Sequence, residues 1–91
     1  MVDSSQLVEF ENDKVKVTRV RHEGREKHAP PARSDRVLIW LTDAHEMRTE
    51  DDKRKEVHHR AGEVAWRPAS HHQIENLENS PVDLIIVELK N

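Results

Sequence analysis

The side chains best suited to chemistry here are seven histidines, in a chain of 91 residues that has no cysteine and no tyrosine. An imidazole can bind a metal, carry a proton or donate a hydrogen bond, and its surroundings decide which. His72 follows Pro68 across a short turn, Ala69-Ser70, and shares a strand face with Ile74 and Asn76. A histidine held there can point into whatever lies beneath the sheet, with Asn76 beside it in the same pocket. The opposite register would put Glu75 inside and expose Ile74, so His71, Gln73 and Glu75 are expected on the outer face. His58 and His59 are adjacent among charged residues; only one can face inward, and both read most simply as exposed. His22 and His45 have no partner at ligand spacing. Arg19 alternates with Val15 and Val17, so it is either a pocket group that binds a substrate carboxylate or a sheet-edge residue reaching water. Arg67 is open to the same two readings.

Several chemistries are excluded. Without cysteine there is no disulfide and no thiolate nucleophile. No glycine-rich phosphate loop or serine-nucleophile signature occurs. A net charge of −3 argues against non-specific nucleic-acid binding. Phe10, Trp40 and Trp66 are the only aromatic rings besides histidine, too few for a base-stacking surface. No apolar run approaches the ~20 residues of a membrane helix. The first residues lack a basic region followed by an apolar one, so no secretory signal is expected. Together these features suggest a cytoplasmic protein with no membrane or nucleic-acid partner.

The elements that must position these groups are short strands. Val64 and Trp66 alternate with polar neighbours until Pro68, which cannot donate to a sheet, stops the strand. Val8 and Phe10 alternate on one face, and Asn12-Asp13 turns the chain into a second strand bearing Val15, Val17 and Arg19. Residues 21–34 contain Gly24, Pro30 and Pro31 without periodicity and read as a loop. Residues 37–41 are apolar on both faces, as in a strand covered on each side. Residues 45–50 and 53–58 form a hairpin around Asp51-Asp52, and residues 82–89 close the chain as an apolar strand. No helical periodicity lasts more than a turn. About eight strands with turn signals every 8–12 residues predict one all-β domain over residues 1–91, a sandwich or barrel.

The stretch Gly62–Asn76, with Gly-x5-Pro followed by His-x3-Asn, resembles the second motif of the cupin family. The first motif of that family, Gly-x5-His-x-His-x3,4-Glu-x6-Gly, has its counterpart in Gly24–Thr42. His28 stands at the first histidine, Pro30 at the second, Asp35 at the glutamate and Thr42 at the closing glycine. Gly24 is two residues too close to His28. In the second motif, Ser70 replaces a glycine and His72 comes one residue early after Pro68, while keeping its spacing to Asn76. The resemblance implies a double-stranded β-helix, or jelly-roll barrel, with a pocket open at one end.

It also implies a metal site. Carried over residue by residue, the ligand set is His28, Asp35 and His72, since Pro30 cannot coordinate. Two histidines and one carboxylate suit a divalent iron, manganese, nickel or zinc ion. Two other readings stand beside it: a metal-free pocket for a small polar metabolite, and a dimeric interaction module without catalysis. If the Asp35 face lines the barrel, Leu38 and Trp40 point outward, and a homodimer through those two residues is expected.

Overall fold

The structure is a computed structural model that describes residues 5–29 and 32–90. Pro30, the residue at the position of the family's second histidine, lies outside the described residues. Among the described residues nine strands follow in chain order: β1 (Ser5–Glu11), β2 (Val15–His22), β3 (Lys27–His28), β4 (Arg36–Trp40), β5 (Ala44–Glu50), β6 (Lys53–His59), β7 (Val64–Arg67), β8 (Gln73–Asn76) and β9 (Val82–Leu89). They form two antiparallel sheets, one of five strands in the order β1-β2-β9-β4-β7 and one of four in the order β3-β8-β5-β6. Among the described residues no helix is long and apolar enough to cross a membrane.

Local chemistry sets the turns. Asn12 accepts the backbone N–H of Lys14 and Val15 through its side-chain oxygen, closing the β1–β2 hairpin. Asp51 and Asp52 both adopt positive φ, 52° and 63°, the twist that a two-residue hairpin link needs between β5 and β6. Gly62, at φ 89°, occupies a conformation that favours glycine, and its N–H donates to the Trp40 carbonyl. A β-bulge between Val8 and Phe10 breaks the simple alternation expected for β1: Val8 pairs with Thr18, whereas Phe10 pairs with Val17 on the other face.

The core lies between the sheets. Val20, Leu38, Trp40, Val82, Leu84 and Ile86 line the inner face of the five-stranded sheet, joined by Ala44 from β5. This corrects the expectation for Leu38 and Trp40. They are 8% and 2% exposed, so neither can carry a dimer contact. In β4 the inner row is Arg36, Leu38 and Trp40, opposite Glu88, Ile86 and Leu84 of β9. Alternation allowed either face; the premise that Asp35 lines the barrel selected the wrong one. The outer row is Val37 and Ile39, continued by Val64 and Trp66 on β7 and by Ile85 and Val87 on β9. Val64 and Trp66 are 61% and 52% exposed.

Candidate functional site

The cavity between the sheets has an apolar end and a cationic end. At the apolar end the His59 ring stacks on Trp40, with ring centres 3.7 Å apart, and its Nδ1 lies 2.6 Å from Glu63. This bond holds the Glu63 carboxyl below its usual range. At the other end four arginines, Arg33, Arg36, Arg48 and Arg67, line the space with His72. Arg36 and Arg67 are direct cross-strand partners on the inner face, and like charges placed so are destabilising.

Their neutralisation is uneven. Arg33 donates to Glu88 at 2.9 Å and Arg48 to Glu50 at 3.0 Å. Arg36, 1% exposed, has only neutral hydrogen-bond acceptors: the Ser34 and Pro68 carbonyls and the Ser70 hydroxyl. Among the described residues the Arg67 guanidinium makes no hydrogen bond and no ion pair. Burial, followed by neighbouring cations, lowers the pKa of both Arg36 and Arg67. Both remain charged, because an arginine does not deprotonate in a protein.

His72 sits among these charges with its Nδ1 buried and without a hydrogen-bond partner. Burial first, and then the guanidinium groups of Arg48, Arg36 and Arg67, push its pKa down to about 4. The imidazole is therefore neutral at physiological pH. Arg48 Nε is likewise buried without a partner. Space for the centres of water-sized molecules amounts to about 60 Å³, several times what one water requires. Only a small ligand fits.

The sequence-derived site residues part company here. His72 and Ile74 line the cavity, Gln73 and His71 are exposed, and so the expected register of β8 is the one observed. His28 also lines the cavity, its ring centre 5.5 Å from that of His22. Asp35 does not reach it: its carboxylate accepts the Ala69 backbone N–H at 2.8 Å and fixes the turn after Pro68. His28, Asp35 and His72 are thus not brought together around one point. Arg19 lies on the outer face, half exposed and 3.0 Å from Glu9. Asn76 is fully buried, but its amide donates to the Glu23 and Ser80 carbonyls and its oxygen accepts the Glu78 N–H. It builds a loop rather than a pocket wall.

No motif or spacing in the sequence assigns Arg33, Arg36 or Arg48 to the pocket; Arg36 falls on the row opposite Asp35, with Leu38 and Trp40. Arg36 alternates with Leu38 and Trp40, and Arg48 with Ala44 and Glu46; a cation continuing a buried row was the available signal. Arg33 lies in an aperiodic loop and gave none. His22 and His45, apparently without partners, gain them across strands. His22 Nδ1 lies 3.4 Å from buried Glu46.

His45 belongs to a second group on the outer face of the four-stranded sheet. It pairs directly with His58 of β6, their rings stacked with centres 4.1 Å apart. Its Nδ1 lies 2.7 Å from Glu78, and its Nε2 contacts Glu56. These two bonds, Glu78 first, raise the His45 pKa. Among the described residues, His45, Glu56 and His58 form the one group of three donors whose ligand atoms all lie within 4.8 Å of one another.

No family model and no curated protein sequence matches the chain. Solved structures do. A cupin domain from Bordetella pertussis Tohama I superposes with a TM-score of 0.89 at 19% identity, over 97% of this chain and 94% of that one. A cupin superfamily protein from Desulfitobacterium hafniense DCB-2 gives 0.73 at 15% identity, over 98% and 79%. Fe(II)-HppE, solved with the alternative substrate (S)-1-HPP, gives 0.65 at 12% identity, over 81% and 42%. Such identities establish shape rather than activity. Two antiparallel sheets closed around a lined cavity, together with these superpositions, give this small all-β chain the cupin fold.

Proposed function

We propose that the barrel cavity binds a small organic oxyanion, a carboxylate or a phosphate, with arginine side chains rather than a metal ion supplying the positive charge. The observation that carries this reading is the pair of orphaned buried nitrogens, His72 Nδ1 and Arg48 Nε, in a wall of four guanidinium groups; with the proton of His72 on Nδ1 both are donors. Buried polar atoms are ordinarily satisfied, and an oxyanion would satisfy both while relieving the Arg36–Arg67 repulsion. Guanidinium groups bind carboxylate and phosphate through paired hydrogen bonds. The same charges oppose a divalent cation near His72. The small volume restricts the ligand to a few heavy atoms or to one charged head of a larger molecule.

Calorimetric titration with acetate, malonate and inorganic phosphate tests this at low ionic strength. At least one should bind at one equivalent. Arg67→Met should weaken it about 10- to 100-fold, the equivalent of one charge-assisted hydrogen bond. Binding by none of the three, or equal binding by the variant, would refute the reading.

A second reading concerns assembly. Val64 and Trp66 extend the half-buried row Val37, Ile39, Ile85 and Val87 into a contiguous apolar face. Patches of that kind mark interfaces. The face carries no charge along those three strands except Asp83, which pairs with Arg21. These properties suit a second copy of the same face.

A further inference from the structure

The geometry points to a surface site for a transition-metal dication outside the barrel, formed by His45, Glu56 and His58 and oriented by Glu78. His45 and His58 face each other across the β5–β6 ladder. Glu56 precedes His58 by two residues and therefore shares its face. Side-chain exposures of 26% for His45, 52% for Glu56 and 69% for His58 leave the donors open to solvent ions.

The orientation of His45 is the informative feature. Its Nδ1 faces the Glu78 carboxylate at 2.7 Å. A metal-binding histidine commonly donates its other ring N–H to a carboxylate, which fixes the tautomer and aims the free nitrogen. Here Nδ1 donates to Glu78, and Nε2, which donates to Glu56, becomes a ligand when a metal ion displaces its proton. His58 Nε2 lies 3.7 Å from the same Glu56 oxygen, so both imidazoles address one carboxylate. Glu78 is itself held in place: the Leu77 N–H donates to the His45 carbonyl, and the Glu78 N–H to buried Asn76.

The donor set chooses the ion. Two imidazoles and a carboxylate suit zinc, nickel or copper, whereas magnesium and calcium prefer all-oxygen ligands. With neutral imidazoles the two carboxylates leave a local charge of −2, which attracts a dication. Because strand alternation separates this group from the inward side chains of β5 and β6, occupation does not depend on the barrel ligand.

Calorimetry of chelator-treated protein with zinc chloride, with magnesium chloride as control, tests the site at pH 7.5. One equivalent of zinc should bind, and magnesium should not. His58→Gln and Glu56→Gln should each weaken zinc at least tenfold, while His72→Gln leaves it unchanged. In the wild type, zinc should shift the imidazole NMR signals of His45 and His58 and leave those of His28 and His72 in place. Absence of zinc binding, undiminished binding by His58→Gln and Glu56→Gln, or loss on His72→Gln would each overturn the assignment, the last by moving the ion into the barrel.

Discussion

Acid should draw a separable loss of stability from one side chain, His72. Its pKa is about 4 in the fold, against an ordinary value of about 6.5 in an unfolded chain. A depressed value means that the unfolded state takes up the proton first as pH falls. The contribution of His72 is therefore fully present above about pH 6.5 and is lost progressively down to about pH 4. The gap corresponds to at most about 3 kcal/mol; discounted for a side chain that is only partly buried, about 1–2 kcal/mol is expected. Urea unfolding followed by tryptophan fluorescence at pH 7.5 and pH 5 measures this, with His72→Gln as the reference that cannot be charged. Other titrating groups affect both proteins alike, so the difference isolates His72. Because pH 5 spans only part of the window, the wild type should lose about 1 kcal/mol more than the variant. A bound oxyanion should shrink that difference, because it stabilises the imidazolium. Equal losses in the two proteins would refute the account of His72 as a buried, cation-crowded imidazole.

Three further outcomes follow from the packing. A Cβ at Gly24 would lie 2.0 Å from the Asn79 carbonyl oxygen, so Gly24→Ala should cost about 2–4 kcal/mol in urea unfolding; an unchanged midpoint would contradict that contact. Asn76→Ala removes two donated bonds and one accepted bond from a buried site, and should destabilise by about 2–4 kcal/mol while also weakening zinc through the displaced Glu78. Sedimentation should show a dimer at micromolar concentration, shifted to monomer by Trp66→Glu; the tryptophan is exposed in the single chain, so the variant should fold, and a wild-type monomer would end the assembly reading.

The strands were legible because their signals are local. Alternation, Pro68, Asn12-Asp13 and Asp51-Asp52 mark where strands run and stop, and apolar Ile74 beside Glu75 was enough to choose the register that turns His72 inward. Facing is harder where both rows are apolar. In β4 the rows Val37-Ile39 and Leu38-Trp40 differ little in hydropathy, and only pairing with β9 decides between them. The cationic wall was illegible for another reason. Arg33, Arg36, Arg48 and Arg67 come from a loop and three strands, and nothing in their spacing along the chain brings them together. The His45–His58 pair was invisible to ligand spacing because its separation is set by a hairpin register. Asp35 shows the converse limit: a carboxylate at a family position spends itself on the turn at Ala69.

The bulge in β1 bears on how this molecule avoids polymerising. An open sheet offers unpaired backbone at its edges, and a flat edge strand recruits its like. Among the described residues the four edges are blunted by different means. β1 is kinked by its bulge, β3 is two residues long, β7 stops at Pro68, and β6 presents Lys53, Arg54, Lys55 and Glu56 to solvent. Edge-to-edge growth into ribbons is therefore discouraged on every side. A contact made face to face through Val64 and Trp66 would be self-limiting, because pairing covers that face on both copies. The chain can thus keep a sticky surface without becoming the seed of a fibre.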